Sequence, residues 1–257
     1  MKPYLSITAF LLLISSFAFA QNIRFPKEGV IEFEKRVNVY AVIKRDITKN
    51  TETYLVPALE QYKKNNPQFK TLKSTLTFSQ NITLFTPAKA EVTGGNYFND
   101  HVAIQQHNVV FSDLAAGKSI CQKKVFEQNY LVKDSLRQIK WKITNETREI
   151  AGYSCRRANA LIMDSIYVVA FYTDNIPVSG GPESFTGLPG MILGVALPYE
   201  NITWFATSVT EKSVPVASIK APEKGKELTR KDLSTTLQNA FKRYGDYAKN
   251  ALKIFMM

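Results

Sequence analysis

Groups able to do chemistry are sparse in this 257-residue chain: two histidines, His101 and His107, and two cysteines, Cys121 and Cys155. A protein-bound metal needs several imidazole, thiolate or carboxylate ligands at compatible spacing. The histidines make no recognised ligand pair, even with Asp100 beside them, and the cysteines lack the C-x-x-C spacing of zinc or thioredoxin-type sites. The reading is therefore no metal and no cofactor. Ser-His-Asp chemistry depends on geometry rather than chain order, yet no serine stands in a G-x-S-x-G elbow. Cys155, in "GYSCRRA", precedes Arg156 and Arg157, and nearby positive charge lowers a thiol pKa. In a strand, however, Arg156 points away from Cys155, and alternation favours a packed cysteine. Glu146, Glu149 and Asp164 fall in turns or at strand ends, and nothing selects a pair for glycoside chemistry. No catalytic residue is assigned.

The densest cluster of special backbone residues is "GGPESFTGLPGMIL", Gly180 to Leu193. Pro189-Gly190 predicts a type II turn, since proline presets φ at its second position and glycine supplies positive φ at the third. Gly180-Gly181-Pro182 predicts a second bend, and Phe185, between the two, pins the loop to the core. Gly187-Leu188-Pro189-Gly190 satisfies the bare G-x-x-G of a KH loop, but a KH loop joins two helices and here a strand follows. Met191–Ala196 is an apolar run, read as a strand buried on both faces, with Gly194 marking a bulge or a close backbone approach. The candidate binding loop is Gly181, Pro182, Phe185, Gly187, Leu188, Pro189 and Gly190. The competing reading is that these residues only build a sheet corner.

The elements that must position this loop are mostly strands. Ile31 and Phe33 alternate against Val30, Glu32 and Glu34, and the pattern continues through Val37, Val39, Ala41 and Ile43. Leu55, Ala58, Leu59 and Tyr62 then fall at helical spacing, and Asn65-Asn66-Pro67 ends that helix. Residues 72–87 read as a strand or a hairpin about Ser79-Gln80, and two strands flank Ala115-Ala116-Gly117. Ile139, Trp141 and Ile143 alternate with lysines as a strand buried on one face. "GYSCRRANALI", "SIYVVAFYT", "MILGVAL" and "ITWFATSV" add four more, and "PVASIKA" a last one. Over about 230–252, Leu233, Leu237, Ala240, Phe241, Tyr244, Ala248 and Leu252 recur at helical spacing behind a Thr229–Asp232 capping pattern. That stripe either packs on the sheet or, with a basic opposite face, lies in a membrane headgroup region. The fold class is mainly β, a β-rich α+β arrangement. It is a large curved antiparallel sheet or half-barrel with a C-terminal amphipathic helix and one short N-terminal helix.

Lys2, the apolar run Ile7–Ile14 and Ala18-Phe19-Ala20 read as a secretory signal over 1–20, cleaved before Gln21. Residues 21–257 then form a single domain, exported to the periplasm or cell envelope, with no transmembrane span after cleavage. The net charge of +11 suits an acidic polymer or an anionic surface, while export excludes nucleic acid as a partner. An oxidising compartment permits a Cys121–Cys155 disulfide, since their segments read as neighbouring strands. Two buried thiols are the alternative.

"GLPGMI" (187–192), together with "WKITNETREIAGYSCRRANA" (141–160) and "FYTDNIPVSGGP" (171–182), resembles the GLPGLI family, exported proteins of Bacteroidetes. Met191 stands where the family motif has leucine. The likeness is strong over about 141–197. The resemblance implies location and kinship rather than a reaction, and it carries over no catalytic residue. Export, a β-rich body and few catalytic groups lead to an expectation of a non-enzymatic envelope module. Its partner would be an envelope protein or a lipid-like, hydrophobic ligand. A hydrolase with dispersed residues and a purely structural envelope component are the alternatives.

Overall fold

A computed structural model describes residues 25–89, 98, 101–106 and 108–257. The signal segment, Asp100, His107 and the Gly94-Gly95-Asn96 stretch lie outside the described residues. Among the described residues, twelve strands form one open sheet. They are β1 (Glu28–Asn38), β2 (Phe69–Ser79), β3 (Ile82–Pro87), β4 (Asn108–Asp113), β5 (Lys118–Val125), β6 (Gln128–Ser135), β7 (Lys142–Ile150), β8 (Tyr153–Ile162), β9 (Ile166–Thr173), β10 (Met191–Leu197), β11 (Ile202–Glu211) and β12 (Lys226–Leu228). Their order is β12-β6-β5-β4-β3-β2-β1-β11-β10-β9-β8-β7. All pairings are antiparallel except β12 with β6, which is parallel. The β-rich fold with its large sheet is as expected, with this one parallel addition. Four α-helices accompany it among the described residues: α1 (Val39–Asp46), α2 (Glu52–Asn65), α3 (Arg230–Phe241) and α4 (Gly245–Met256).

Strand β1 shows how the residues choose the sheet. Ile31, Phe33, Lys35 and Val37 are buried in alternation, and β2 and β11 pair along either side. The strand ends earlier than its apolar period suggests. Asn38 accepts a hydrogen bond from the Ala41 main-chain N–H at 3.1 Å and so caps α1. From there Val39, Val42 and Ile43 are buried at helical spacing. β-branched residues favour strands only weakly, and a side-chain cap with core packing outweighs that preference.

The sheet curls at its β7 end. Ile150 of β7 comes to Gly194 of β10, where a Cβ would stand 3.0 Å from the Ile150 Cδ1 and 2.6 Å from the Phe205 ring. Gly194 also sits at a register shift between β10 and β9, so both roles read for it hold. Met191–Val195 is buried throughout, as its unbroken apolar run implies. The expected one-face-buried strand around Trp141 is instead the exposed edge. Trp141 precedes β7, Ile143 faces outward, and pairing to β8 is interrupted between Ile143 and Thr147.

The C-terminal helix divides in two. Thr229 and Asp232 form the full capping box of α3. Gly245, at φ 55°, opens α4 after a break at residues 242–244. Leu233, Leu237 and Phe241 of α3 and Ala251, Ile254 and Phe255 of α4 are buried, so the apolar stripe packs on the protein and is not free for a membrane surface. The segment read as a last strand, "PVASIKA", holds a short 3-10 turn at Val216–Ser218 closed onto the Pro215 carbonyl. No helix among the described residues is long and apolar enough to cross a membrane.

Candidate functional site

The glycine-rich loop joins β9 to β10 and is tied shut at its base. The Met191 N–H donates to the Ile176 carbonyl at 3.0 Å, Ile192 to Gly180 at 2.8 Å and Gly187 to Ser179 at 3.2 Å. The turn at Pro189 is tighter than the type II turn expected. The Gly190 N–H bonds back to the Leu188 carbonyl at 2.8 Å, while Met191 is taken by Ile176. Gly190 is still required, because its φ is +150° and a Cβ would lie 2.1 Å from the Thr173 carbonyl oxygen. Trp141 clamps the loop from outside, its Nε1–H donating to the Thr186 carbonyl at 2.9 Å.

The loop turns most of its candidate set away from solvent. Phe185 and Leu188 are each only 1% exposed, and Gly181, Pro182 and Gly190 are buried as well. Only Gly187 and Pro189 of the candidate set face solvent. Phe185 packs near the Trp204 ring at 6.3 Å. Burying a Phe or Leu side chain stabilises by about 1.5–3 kcal/mol, and the sheet face beneath the loop supplies the place to do so.

Beneath the loop lies a buried charge cluster that sequence reasoning missed. Glu183, at φ 53°, turns its carboxylate inward to accept from the Asn108 Nδ2 at 2.6 Å. Lys35 of β1 donates to the Gln105 carbonyl at 2.5 Å and lies 5.4 Å from the centre of the Trp204 ring. Lys123 of β5 is opposite Asn108 in the β4–β5 register and is 4% exposed. Burial drives the Lys35 pKa down to about 8, against the attraction of Glu183, and Lys123 adds to the fall. Burial lowers Lys123 too, and it raises Glu183 against the pull of Asn108, Lys35 and Lys123. The signal was present: Lys35 follows Ile31 and Phe33 at inward positions, and Lys123 precedes Val125 at another.

The open site is elsewhere. α1, α2, α4 and the β5–β6 turn enclose a groove of about 510 Å³. Tyr54, Phe126 and Tyr244 stand around it with 53%, 59% and 59% of their surfaces in solvent, and Phe98, Leu55 and Tyr247 line it more deeply. Phe126 takes φ 53° at the first turn residue after β5, a left-handed conformation that bulky residues rarely hold. Its ring leans on Phe241 at 5.7 Å and Phe255 at 5.8 Å.

A carboxylate and an imidazole also line this groove, and their geometry is that of a brace. The His101 Nε2 is 2.8 Å from the Asp46 Oδ2, while its Nδ1 accepts from the Ala103 N–H at 3.1 Å. Asp46 spends its other oxygen on the Asn250 Nδ2 at 3.0 Å. Both ring nitrogens are thus engaged, which leaves none to take a proton from a substrate. The trio joins α1, the turn at Val102–Ile104 and α4. A second groove, of about 520 Å³, has Arg36 over the Phe69 ring at 4.2 Å and Arg148 over the Phe205 ring at 4.6 Å. Its cations already rest on aromatic faces.

The cysteines do not meet. Both are free, and strands β4, β3, β2, β1, β11, β10 and β9 separate β5 from β8. Their segments are therefore not neighbours, contrary to the sequence reading. Burial pushes the Cys121 thiol up to about 11 and the Cys155 thiol up to about 12, so neither is activated. Arg156 and Arg148 do not offset this, and Cys155 is a packed core residue.

The architecture is that of an open, curled β-sheet protein with a helical groove at one end. A family model described as a protein of unknown function (Porph_ging) matches residues 161–194, which run from the end of β8 through the glycine-rich loop. No curated protein matches. Two structures of PNGF-II are similar in fold. The C2 form has a TM-score of 0.50 and 14% identity, covering 87% of this chain and 33% of that one. The P21 form has a TM-score of 0.49 and 16% identity, covering 82% and 33%. This chain thus spans about a third of the length of PNGF-II. An uncharacterised conserved protein from Thermus thermophilus aligns at a TM-score of 0.37 and 4% identity, covering 78% of this chain and 90% of that one.

Proposed function

We propose that the protein is an exported, non-enzymatic binding module of the cell envelope whose aromatic groove holds a hydrophobic ligand. The observation that carries this reading is the set of three half-exposed rings, Tyr54, Phe126 and Tyr244, around one groove of about 510 Å³. That volume falls within the range of small-molecule sites, about 300–1,000 Å³. Exposed apolar surface costs on the order of 25 cal/mol per Å², so three rings converging on one concavity favour an occupant that covers them. Phe126 adds weight. Glycine or asparagine would hold its backbone conformation without strain, yet a large ring stands there. The engaged nitrogens of His101 favour binding over hydrolysis. The leader-like segment 1–20 and the GLPGLI-like motif at 187–192 support export to a Bacteroidetes envelope and kinship with that family.

The test is native mass spectrometry of the protein purified from its own host without detergent, beside its Phe126→Gly variant. Wild type is expected to carry a stoichiometric small adduct. Phe126→Gly removes the ring and relieves the left-handed strain, two effects that offset each other to within about 1 kcal/mol of stability. The adduct, or binding of an anilinonaphthalene probe, is expected to fall at least about tenfold in the variant, which is about 1.4 kcal/mol. A bare wild-type chain, or a variant that binds unchanged, overturns the reading.

A further inference from the structure

We infer that the aromatic groove selects an organic cation, the trimethylammonium group of an otherwise apolar ligand. This deepens the reading of the groove as a hydrophobic ligand site and rests on it.

Five rings line the groove: Tyr54, Phe98, Phe126, Tyr244 and Tyr247. An aromatic ring is negative on its faces, and a cation within about 6 Å of its centre is attracted to it. A ligand that needed apolar contact alone would be served as well by aliphatic walls, yet Ile43 and Leu55 are the only aliphatic hydrocarbon side chains there among the described residues. Charge points the same way. The chain has a net charge of +11. The second groove holds Arg36 and Arg148, and two smaller cavities hold Lys35 and Lys123. No lysine or arginine among the described residues lines the aromatic groove.

Apart from tyrosine hydroxyls, the ionisable groups of its described wall are Asp46 and His101, and their hydrogen bonds assign the charges. The Ala103 N–H donates to the His101 Nδ1 at 3.1 Å, so Nδ1 carries no proton. The imidazole is therefore neutral, and its proton sits on Nε2, 2.8 Å from the Asp46 Oδ2. The other Asp46 oxygen accepts from the Asn250 Nδ2 at 3.0 Å. Both of these partners are neutral donors, so they leave the negative charge of the carboxylate uncancelled. The side chain is 10% exposed, where water screens a charge less than it does in bulk. The same bonds set the kind of cation. Each Asp46 oxygen already accepts a donor, so the carboxylate offers a ligand its field rather than a direct hydrogen bond. A primary ammonium would leave water with three N–H donors to satisfy, in a wall made chiefly of rings. A trimethylammonium group has no N–H, and its methyl surface suits aromatic faces.

The experiment is displacement of the uncharged probe N-phenyl-1-naphthylamine from the full chain at neutral pH and physiological ionic strength. The competitors are hexanoylcholine and 3,3-dimethylbutyl hexanoate, which differ only in a carbon that replaces the charged nitrogen. The cation is expected to bind at least about tenfold more tightly, although its neutral isostere is the more hydrophobic. Asp46→Asn keeps the shape of the side chain and removes its charge, while Tyr54→Leu keeps an apolar side chain and removes a ring. Each is expected to cut the preference at least about threefold. A smaller preference in wild type, or an isostere that binds better, overturns the inference and leaves the hydrophobic-ligand reading standing. A preference cut by less than that in either variant also overturns it, and should Asp46→Asn fail to fold, Tyr54→Leu decides. A wild-type chain that binds neither competitor nor the probe overturns the hydrophobic-ligand reading together with this inference.

Discussion

Lys35 is a residue whose chemistry departs far from its type. It occupies an inward position of β1, between Phe33 and Val37, where a leucine would pack without penalty. Its folded pKa of about 8 lies below the ordinary 10.5, chiefly from burial. A lysine depressed in this way burdens the folded state below pH 8, and the burden lifts as pH rises towards the unfolded value. Lys35→Met should therefore gain most over wild type below pH 8. The gap should shrink by about 1 kcal/mol between pH 8 and 9, read by denaturant titration at each pH. A gap that stays constant with pH would mean that Lys35 keeps its proton in the folded protein through this range, with no depressed pKa. Above pH 9 the two cysteines act in the opposite sense. Their raised folded pKa values let the unfolded state lose protons first, so stability falls there in both proteins. None of this was read in advance. Strict alternation already placed Lys35 inside.

At the scale of elements, the loop between β9 and β10 shows how a motif can be recognised while its packing stays hidden. The glycines, the prolines and Phe185 were legible as a built turn, and Phe185 does pin it. What could not be read was that Leu188 also turns under the loop, because its burial depends on strands far away in sequence. The loop packs its apolar residues over a buried, charged underside. Gly190→Ala puts a Cβ 2.1 Å from a carbonyl oxygen at a φ of +150°, so the backbone must move. The expected cost is at least about 3 kcal/mol, seen as a fall in the unfolding midpoint. Gly187→Ala, with nothing nearer than Trp141 at 3.8 Å, should cost about 1–2 kcal/mol from its left-handed backbone alone. Equal losses in the two variants would argue against the close contact. The C-terminal helix carries the same lesson. Its start was marked by Thr229 and Asp232, while its break at Gly245 follows from packing α4 back towards α1, where Asn250 meets Asp46.

The whole molecule decides the cysteines and the groove. Strand order separates β5 from β8, and no pairing of neighbouring segments predicts that β1 and β11 close the middle of the sheet. Reductant should thus leave the unfolding midpoint unchanged, and intact mass should correspond to two free thiols. Alkylation should be complete only after unfolding, since Cys155 is fully buried. A mass lower by about two daltons, restored by reductant, would show a disulfide and a different sheet. The groove is assembled from Tyr54 of α2, Phe126 of a hairpin turn and Tyr244 between α3 and α4, three places far apart in the chain. Each ring alone reads as an ordinary exposed aromatic.

By itself the sequence determined the kind of structure: periodic strands, a capped C-terminal helix, an N-terminal helix ended by Asn65-Asn66-Pro67, and a glycine-built turn before a strand buried on both faces. These are local properties, set by side-chain period, caps and allowed φ. Tertiary structure alone decided which strands adjoin, which charges lie inside, that the cysteines stay apart and that three rings share a groove. Those outcomes are contacts between residues far apart in the chain, and no local preference encodes their distance.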